Sequence, residues 1–200
     1  MIAVIDYGAG NLRSAVRALE HIGAPLHIVS SAAELAQADA VVLPGVGATG
    51  DTMRALASQG LDQAIRERIA AGVPFLGICV GMQVLAEMSE EFGLHQCLGI
   101  VPGSVRRFPA GRKVPQIGWN QVAHEGHWLF EDIPTNTEFY FVHSYYVDTP
   151  DAAIVIARTE YGLSFPSALA FGSAVAVQFH PEKSGRWGLK LLENFIRRAA

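Results

Sequence analysis

The chain has 200 residues, half of them apolar, and a formal net charge of −4 at pH 7. A chain of this length and composition can bury a sizeable core, and we expect a single domain over residues 1–200. The slight negative charge and the lack of a basic stripe with interleaved aromatic residues argue against a nucleic-acid-binding protein.

No apolar stretch in the sequence is long enough to span a membrane, and the first apolar run follows residue 1 directly, without a signal-type segment. The two cysteines, Cys79 and Cys97, are too few for a disulfide framework. We therefore expect a cytoplasmic protein that binds neither membranes nor nucleic acids.

Short apolar runs predict strands at residues 2–6, 26–29, 40–43 and 73–78. Apolar residues at helical spacing predict helices over residues 12–22 and 61–69, each followed by a glycine. This alternation is typical of an α/β fold whose central sheet is mainly parallel and covered by helices on both faces. Between residues 99 and 172, short runs broken by proline and glycine predict an antiparallel extension, followed by a closing helix through Leu189, Leu192 and Ile196.

The most informative motif is Gly77-Ile78-Cys79-Val80-Gly81, at the end of a predicted strand. A nucleophile on a sharp strand-to-helix turn needs neighbours without side chains, because the helix and the strand approach closely there. We expect an exposed thiol, with the positive end of the following helix directed at it and favouring the reactive thiolate. The Val80 N–H would then stabilise an oxyanion.

A buried structural cysteine would explain a lone G-x-C-x-G equally well. The C-terminal segment favours catalysis, because an alternating strand from Ala174 leads into His180-Pro181-Glu182. Residues two apart on a strand face the same side, so His180 and Glu182 would supply a base and the carboxylate that orients it. In α/β-hydrolases the acid precedes the histidine, whereas here it follows, so we predict a Cys79-His180-Glu182 triad.

Residues 77–83 (GICVGMQ) and 180–182 (HPE) resemble the class I, triad-type glutamine amidotransferases. Five further segments resemble the glutaminase subunits of imidazole glycerol phosphate synthase: DYGAGNL at 6–12, PGVG at 44–47, GWN at 118–120, FVHSY at 141–145 and HPEKSG at 180–185. The likeness covers essentially the whole chain. It implies a flavodoxin-like, three-layer class I glutamine amidotransferase fold.

The resemblance also implies roles outside the triad. Beside Val80, the oxyanion would be held by a backbone donor at Val46 or Gly47, and the glycines flanking Val46 make rotation of this peptide cheap. Two further groups are implied, one that binds glutamine and one at the interface through which ammonia leaves: Gly47, Gln83, His143, Ser144 and Tyr145 for glutamine, and Asn11, Trp119, Asn120, Tyr140 and Lys183 for the interface.

The implied reaction is hydrolysis of L-glutamine to glutamate and ammonia through a thioester on Cys79, and it needs no cofactor and no metal. Ammonia released into water would become largely ammonium, which is not a nucleophile. The resemblance therefore implies a heterodimer with a (β/α)₈-barrel cyclase subunit. That subunit would use the ammonia to form imidazole glycerol phosphate and aminoimidazole carboxamide ribotide in histidine biosynthesis.

Other functions fit parts of the sequence. A glutaminase of the same fold could serve another acceptor, such as pyridoxal phosphate synthase or a duplicated synthase for surface-sugar amidination. A non-catalytic flavodoxin-like binding module would need no triad. Residues 45–50 also match the dinucleotide-binding pattern G-x-G-x-x-G, but the acidic residue about twenty positions on, Glu67, falls inside a predicted helix.

Overall fold

A computed structural model describes residues 1–8 and 11–199 of the chain. Two residues of the segment 6–12, Ala9 and Gly10, therefore lie outside the described residues. Within the described ranges, no helix has both the length and the apolar character that a membrane span requires.

Thirteen strands are found in the described part of the chain. They are β1 (Ile2–Ile5), β2 (Leu26–Val29), β3 (Ala40–Gly45), β4 (Phe75–Cys79), β5 (Met88–Ser89), β6 (His95–Gln96), β7 (Ser104–Arg107), β8 (Gln116–His124), β9 (Thr137–His143), β10 (Tyr145–Asp148), β11 (Val155–Glu160), β12 (Ser164–Phe171) and β13 (Ala174–Val177). Nine of them form one sheet in the order β2-β1-β3-β4-β13-β12-β11-β8-β9.

The large sheet is parallel at one end and antiparallel at the other. Its neighbours from β2 to β13 pair in parallel, and its neighbours from β13 to β9 pair antiparallel. Strands β1, β3, β4 and β13 are buried along their whole length, as expected for apolar strands covered on both faces. A second sheet has the order β10-β7-β5-β6. The predicted parallel core with an antiparallel extension is confirmed.

Six α-helices accompany the strands in the described residues: α1 (Leu12–His21), α2 (Ala32–Leu35), α3 (Thr49–Ser58), α4 (Leu61–Ala70), α5 (Val80–Gln83) and α6 (Gly185–Ala199). Helix α1 packs with α6, and α4 packs with α2 and α3. The helices predicted over residues 12–22 and 61–69 and near the C-terminus correspond to α1, α4 and α6. Each buries an apolar stripe, including Leu19, Ile65 and Leu192 respectively.

Two local expectations were wrong. The helix after Cys79 is a single four-residue turn, α5, so it has only a small dipole to direct at the sulfur. Strand β13 ends at Val177, and Pro181–Lys183 forms a 3₁₀ turn, so His180 and Glu182 do not share an extended strand. Beyond β13 the Gln178 N–H still donates to the Ser167 carbonyl of β12, and the His180 N–H donates to the Tyr140 carbonyl of β9.

Three glycines allow β3, β4 and α5 to meet without intervening side chains. A Cβ added to Gly81 would overlap the Leu43 carbonyl oxygen, and one added to Gly77 would overlap the Gly81 carbonyl. A Cβ at Gly45 would lie 2.8 Å from the Gly81 nitrogen. Each of these contacts is with backbone, which cannot move aside as a flexible side chain can. The close approach places Cys79 at the carboxyl end of β4.

Replacing Gly81 by alanine should lower the free energy of unfolding by roughly 3 kcal/mol, because the added Cβ collides with backbone in a close-packed core. The matched control is Gly126→Ala, because φ at Gly126 is 93° and an added Cβ would meet nothing within 4 Å. That change costs only the left-handed conformation, about 1–2 kcal/mol. Urea denaturation of both variants checks the difference, and equal losses would contradict the packing argument.

Candidate active site

Cys79 lies between β4 and α5 in a strained conformation, with φ 56° and ψ −109°. Positive φ is uncommon for a residue with a side chain and is found where the surrounding structure imposes it. The expectation of an exposed thiol was wrong in degree, because Cys79 is only 4% exposed. It instead lines a pocket whose wall it shares with Val46, Gly47 and Val80.

His180 and Glu182 form a buried pair. The His180 Nδ1 lies 2.7 Å from the Glu182 Oε1, and both side chains are fully buried. The Asn11 side-chain amide also donates to the Glu182 Oε1, at 2.5 Å. With Nδ1 donating to the carboxylate, the ring presents Nε2 to its other neighbours. Among the described residues, Nε2 has no partner with full hydrogen-bond geometry.

The environment of His180 favours its protonated form. Burial by itself lowers the pKa of an imidazole, but the interactions of His180 with Cys79 and Glu182 outweigh the effect of burial. Together they raise the pKa of His180 from 6.5 to about 9. Cys79 is one of the neighbours that raise this pKa, and its sulfur lies 3.6 Å from the side-chain nitrogen of Gln178, two residues before His180, so the three predicted triad residues lie in one region of the structure.

The pocket that contains Cys79 has a volume of about 310 Å³, at the lower end of the range for small-molecule sites. Its lining includes Cys79, Glu91, Val142 and Lys183. It also includes all five predicted glutamine-binding residues: Gly47, Gln83, His143, Ser144 and Tyr145. A larger cleft of about 500 Å³ lies elsewhere, between β8 and β11, and is lined by His124, Glu125, His127 and Arg158 instead of the triad.

Gln83 and His143 belong to a buried network behind this pocket. Gln83 Nε2 donates to the Tyr145 carbonyl at 3.0 Å, and His143 Nδ1 lies 2.8 Å from the same oxygen. Burial lowers the pKa of His143 to about 4, although its bond to the Tyr145 carbonyl opposes the change. A neutral His143 then donates through Nδ1 to the Tyr145 carbonyl, and its Nε2 lies 3.0 Å from the side-chain amide of Gln116.

The sequence analysis missed two residues of this site, Glu91 and Gln178. Glu91 lines the pocket and accepts from the Thr49 N–H at 2.7 Å, at the start of α3. Gln178 is fully buried, and its amide nitrogen lies 3.6 Å from the Cys79 sulfur. The contact of Glu91 joins residues 42 positions apart and that of Gln178 joins residues 99 positions apart, so neither produces a local sequence pattern. The one available signal was that Gln178 lies within residues 174–182, the segment that carries His180 and Glu182.

The five residues assigned to an interface occupy different places. Lys183, which lines the pocket, has its Nζ 5.9 Å from the centre of the Tyr140 ring, and Tyr140 lies edge-on to Trp119 at 6.1 Å. These three side chains lead from the pocket to the surface. Asn11 instead faces Glu182, and the Asn120 amide donates to the Glu160 carbonyl.

The loop after β3 contributes the remaining predicted oxyanion donors. Gly47 has a φ of 91°, and the Val46 backbone lies close enough to the Tyr7 hydroxyl to affect its ionisation. Burial raises the pKa of Tyr7, and interactions with the Thr52 side chain and then the Val46 backbone partly offset the increase. Gly50, the last glycine of the G-x-G-x-x-G pattern, packs against the His95 ring. No group of three or more potential metal ligands occurs within residues 1–8 and 11–199.

The comparisons agree with this geometry. The family described as class-I glutamine amidotransferase matches residues 3–199. A crystal structure of a glutamine amidotransferase has a TM-score of 0.79 at 22% identity, covering 100% of this chain and 99% of that one, and therefore shares the fold. The chain thus belongs to the class-I glutamine amidotransferase family and is an enzyme of that class. The predicted fold is confirmed, and a non-catalytic binding module is excluded.

Two relatives have a more specific name. The chain is 66% identical over 199 residues to the imidazole glycerol phosphate synthase subunit HisH of Herpetosiphon aurantiacus, covering 100% of this chain and 95% of the relative. It is 50% identical over 200 residues to the subunit of the same name from Dehalococcoides mccartyi, covering 100% and 98%. The resemblance stated from the sequence motifs is confirmed.

The two buried histidines should titrate at opposite ends of the pH range. In an NMR titration we expect the His180 ring to lose its proton near pH 9 and the His143 ring to gain one only near pH 4. Because the pKa of His180 is raised above 6.5, its protonation stabilises the fold fully below pH 6.5, and this stability is lost as the pH rises through about 9.

Glu182→Gln tests the cause of the His180 shift. Loss of the carboxylate charge should lower the His180 midpoint, while the His143 midpoint, which depends mainly on burial, should stay near 4. An unchanged His180 midpoint in this variant would show that Glu182 does not sustain the imidazolium.

Proposed function

We propose that the chain hydrolyses L-glutamine with Cys79 as nucleophile, His180 as acid and base, and Glu182 as the group that orients His180. The observation that carries the proposal is the pairing of His180 Nδ1 with Glu182 at 2.7 Å, which leaves Nε2 for Cys79. This arrangement has the nucleophile, base and orienting acid that covalent amide hydrolysis requires.

The reaction proceeds in two steps. The Cys79 thiolate attacks the side-chain carbonyl carbon of glutamine, and backbone N–H groups at Val80 and at Val46 or Gly47 stabilise the oxyanion. Protonated His180 donates its Nε2 proton to the departing nitrogen, so ammonia leaves and a thioester forms. Neutral His180 then takes a proton from water, which attacks the thioester and releases glutamate.

The pocket composition supports an amino acid as the substrate. Glu91 supplies a carboxylate that can bind an α-ammonium group, while Ser144 and the backbone from His143 to Tyr145 supply polar contacts for the α-carboxylate. Gln83 contributes through the network behind the pocket, because both of its donor hydrogens are already used by the Tyr145 carbonyl and Gln178. Gly47 leaves room for the substrate amide beside Cys79.

We further propose that the chain works as the glutaminase subunit of a heterodimer and passes ammonia to a (β/α)₈-barrel cyclase that makes imidazole glycerol phosphate. The names of its relatives support this assignment. An apolar surface beside the pocket supports a docked partner, because Ile117 is 62% exposed and Trp119 54% exposed on β8. Their cross-strand neighbours on β9 are Val142, which lines the pocket, and Tyr140.

A γ-electrophilic glutamine analogue should alkylate Cys79 at least about 100-fold faster than Cys97. Cys97 is buried, and burial raises its pKa to about 11, so little of it is thiolate at neutral pH. Peptide mapping by mass spectrometry measures both sites in the same sample, and Cys79→Ala removes the fast reaction. Equal labelling of the two thiols would reject Cys79 as the nucleophile.

The isolated chain should turn over glutamine slowly, and the cyclase subunit with its ribotide substrate should accelerate it. Val46 lies between two glycines, so its peptide has two accessible orientations and the oxyanion site need not be assembled at rest. A resting preference of about 3 kcal/mol would leave roughly one molecule in a hundred competent. Steady-state glutaminase assays with and without the partner measure the effect, and full activity of the isolated chain would contradict it.

Measuring the affinity of the chain for the cyclase subunit tests the docking surface. Trp119→Ala should weaken partner binding by about 30-fold, as expected for a central aromatic residue. Phe171→Ala is the control, because Phe171 is a 40% exposed aromatic residue on β12, outside this surface. Equal affinities of the two variants for the cyclase would place the interface elsewhere.

A further inference from the structure

Gln178 lies two residues before His180 and points its side chain at the nucleophile. The side chain is 0% exposed, with its Nε2 3.6 Å from the Cys79 Sγ and its Oε1 3.1 Å from the Gln83 Nε2. Its backbone N–H donates to the Ser167 carbonyl, so the residue is held at the end of β13. The Gln178 amide has no part in the triad mechanism described above, although this amide contacts the reacting Cys79 sulfur.

The orientation of the Gln178 amide can be deduced from the Tyr145 carbonyl, to which it is linked through the Gln83 side chain. The Tyr145 carbonyl oxygen can only accept, so the Gln83 atom at 3.0 Å from it must be the amide nitrogen. The reverse orientation would place two acceptors face to face in a buried site. His143 Nδ1 donates to the second lone pair of the same Tyr145 oxygen.

The second N–H of Gln83 then sets the orientation of Gln178. It points toward the Gln178 side chain at 3.1 Å, so that atom must be the Gln178 oxygen. The Gln178 amide nitrogen is thereby left facing the Cys79 sulfur. Gln83 Oε1 lies on the opposite side, 3.2 Å from the Thr49 hydroxyl, as this arrangement requires.

We propose that Gln178 is a further catalytic residue, which donates an N–H to the Cys79 sulfur and so stabilises and aims the thiolate. The proposal rests on the proposed function of Cys79 as nucleophile. An N–H donor favours an anionic sulfur over a neutral thiol, because only the anion is a strong acceptor. Because α5 is only a single turn, its dipole is small, and the Gln178 amide supplies the stabilisation of the Cys79 thiolate that a longer helix would otherwise provide.

Gln178→Glu is the sharpest test, because it keeps the shape and the oxygen that accepts from Gln83 but replaces the donor with a carboxylate oxygen. We expect the pH midpoint of Cys79 alkylation by iodoacetamide to rise by at least about one unit. We also expect kcat to fall at least about tenfold, with KM changing less than about threefold. Gln178→Met, which removes the donor without adding charge, should shift the midpoint in the same direction by less.

Asn194→Asp is the matched control. Asn194 is also a buried amide, but it donates to the Leu129 and Glu131 carbonyls, away from the pocket. This variant should lose stability while keeping the alkylation midpoint of the unaltered chain. A midpoint that is unchanged in both Gln178 variants would overturn the catalytic role, even if their stability falls.

A second measurement covers the case in which neither Gln178 variant folds. Cys79→Ala, made in a chain that keeps Gln178, removes only the sulfur. In an NMR spectrum of this variant, the side-chain NH₂ resonances of Gln178 should shift because the hydrogen bond to the sulfur is lost. The absence of a shift would overturn the proposal. Failure of the proposed function is distinguishable, because Cys79 would then resist the glutamine analogue in the unaltered chain, whatever the behaviour of Gln178.

Discussion

The close approach of β3, β4 and α5 is the constraint on which the rest of the site depends. Gly81 rests against the Leu43 carbonyl and Gly77 against the Gly81 carbonyl, so no side chain separates the three elements. The chain can then reverse direction within one residue, and Cys79 takes the positive φ that this reversal requires. The surrounding packing offsets the conformational cost, because it leaves the chain no alternative path. A strained cysteine is thus held at the carboxyl end of the parallel sheet, where ligands bind in folds of this type.

Burial then determines the chemistry at that position. The side chains of His180 and Glu182 are fully buried, and the carboxylate receives hydrogen bonds from both the imidazole and Asn11. In such surroundings the attraction between His180 and its anionic neighbours outweighs the cost of desolvation, and the pKa of His180 rises to about 9. At neutral pH the imidazole therefore already carries the proton that a leaving amine needs. His143, equally buried but without an anionic partner, is kept neutral and serves as a hydrogen-bonding residue.

The pocket links this centre to the surface. Lys183 lies at the pocket wall beside Tyr140, and Tyr140 lies beside Trp119. Trp119 and Ile117 form the exposed apolar part of β8. A glutaminase that must deliver ammonia before it is protonated benefits from a partner docked at this point. In this proposal the antiparallel half of the sheet, which carries β8 and β9, supplies the docking surface, whereas the parallel half holds Cys79.

The sequence alone predicted the main strands and helices of the parallel half, the class of fold and a Cys79-His180-Glu182 triad, because periodicity and glycine spacing are local properties. Residues 77–81 indicated Cys79 as a candidate nucleophile only in combination with the His-x-Glu pattern at residues 180–182. Tertiary structure decided the rest. His180 and Glu182 meet through a 3₁₀ turn and not along a strand, and the thiol is enclosed and not exposed. The contacts of Gln178 with Cys79 and of Asn11 with Glu182 join residues 99 and 171 positions apart. No local pattern encodes such contacts, because they arise only when sheet order brings distant strand ends to the same edge.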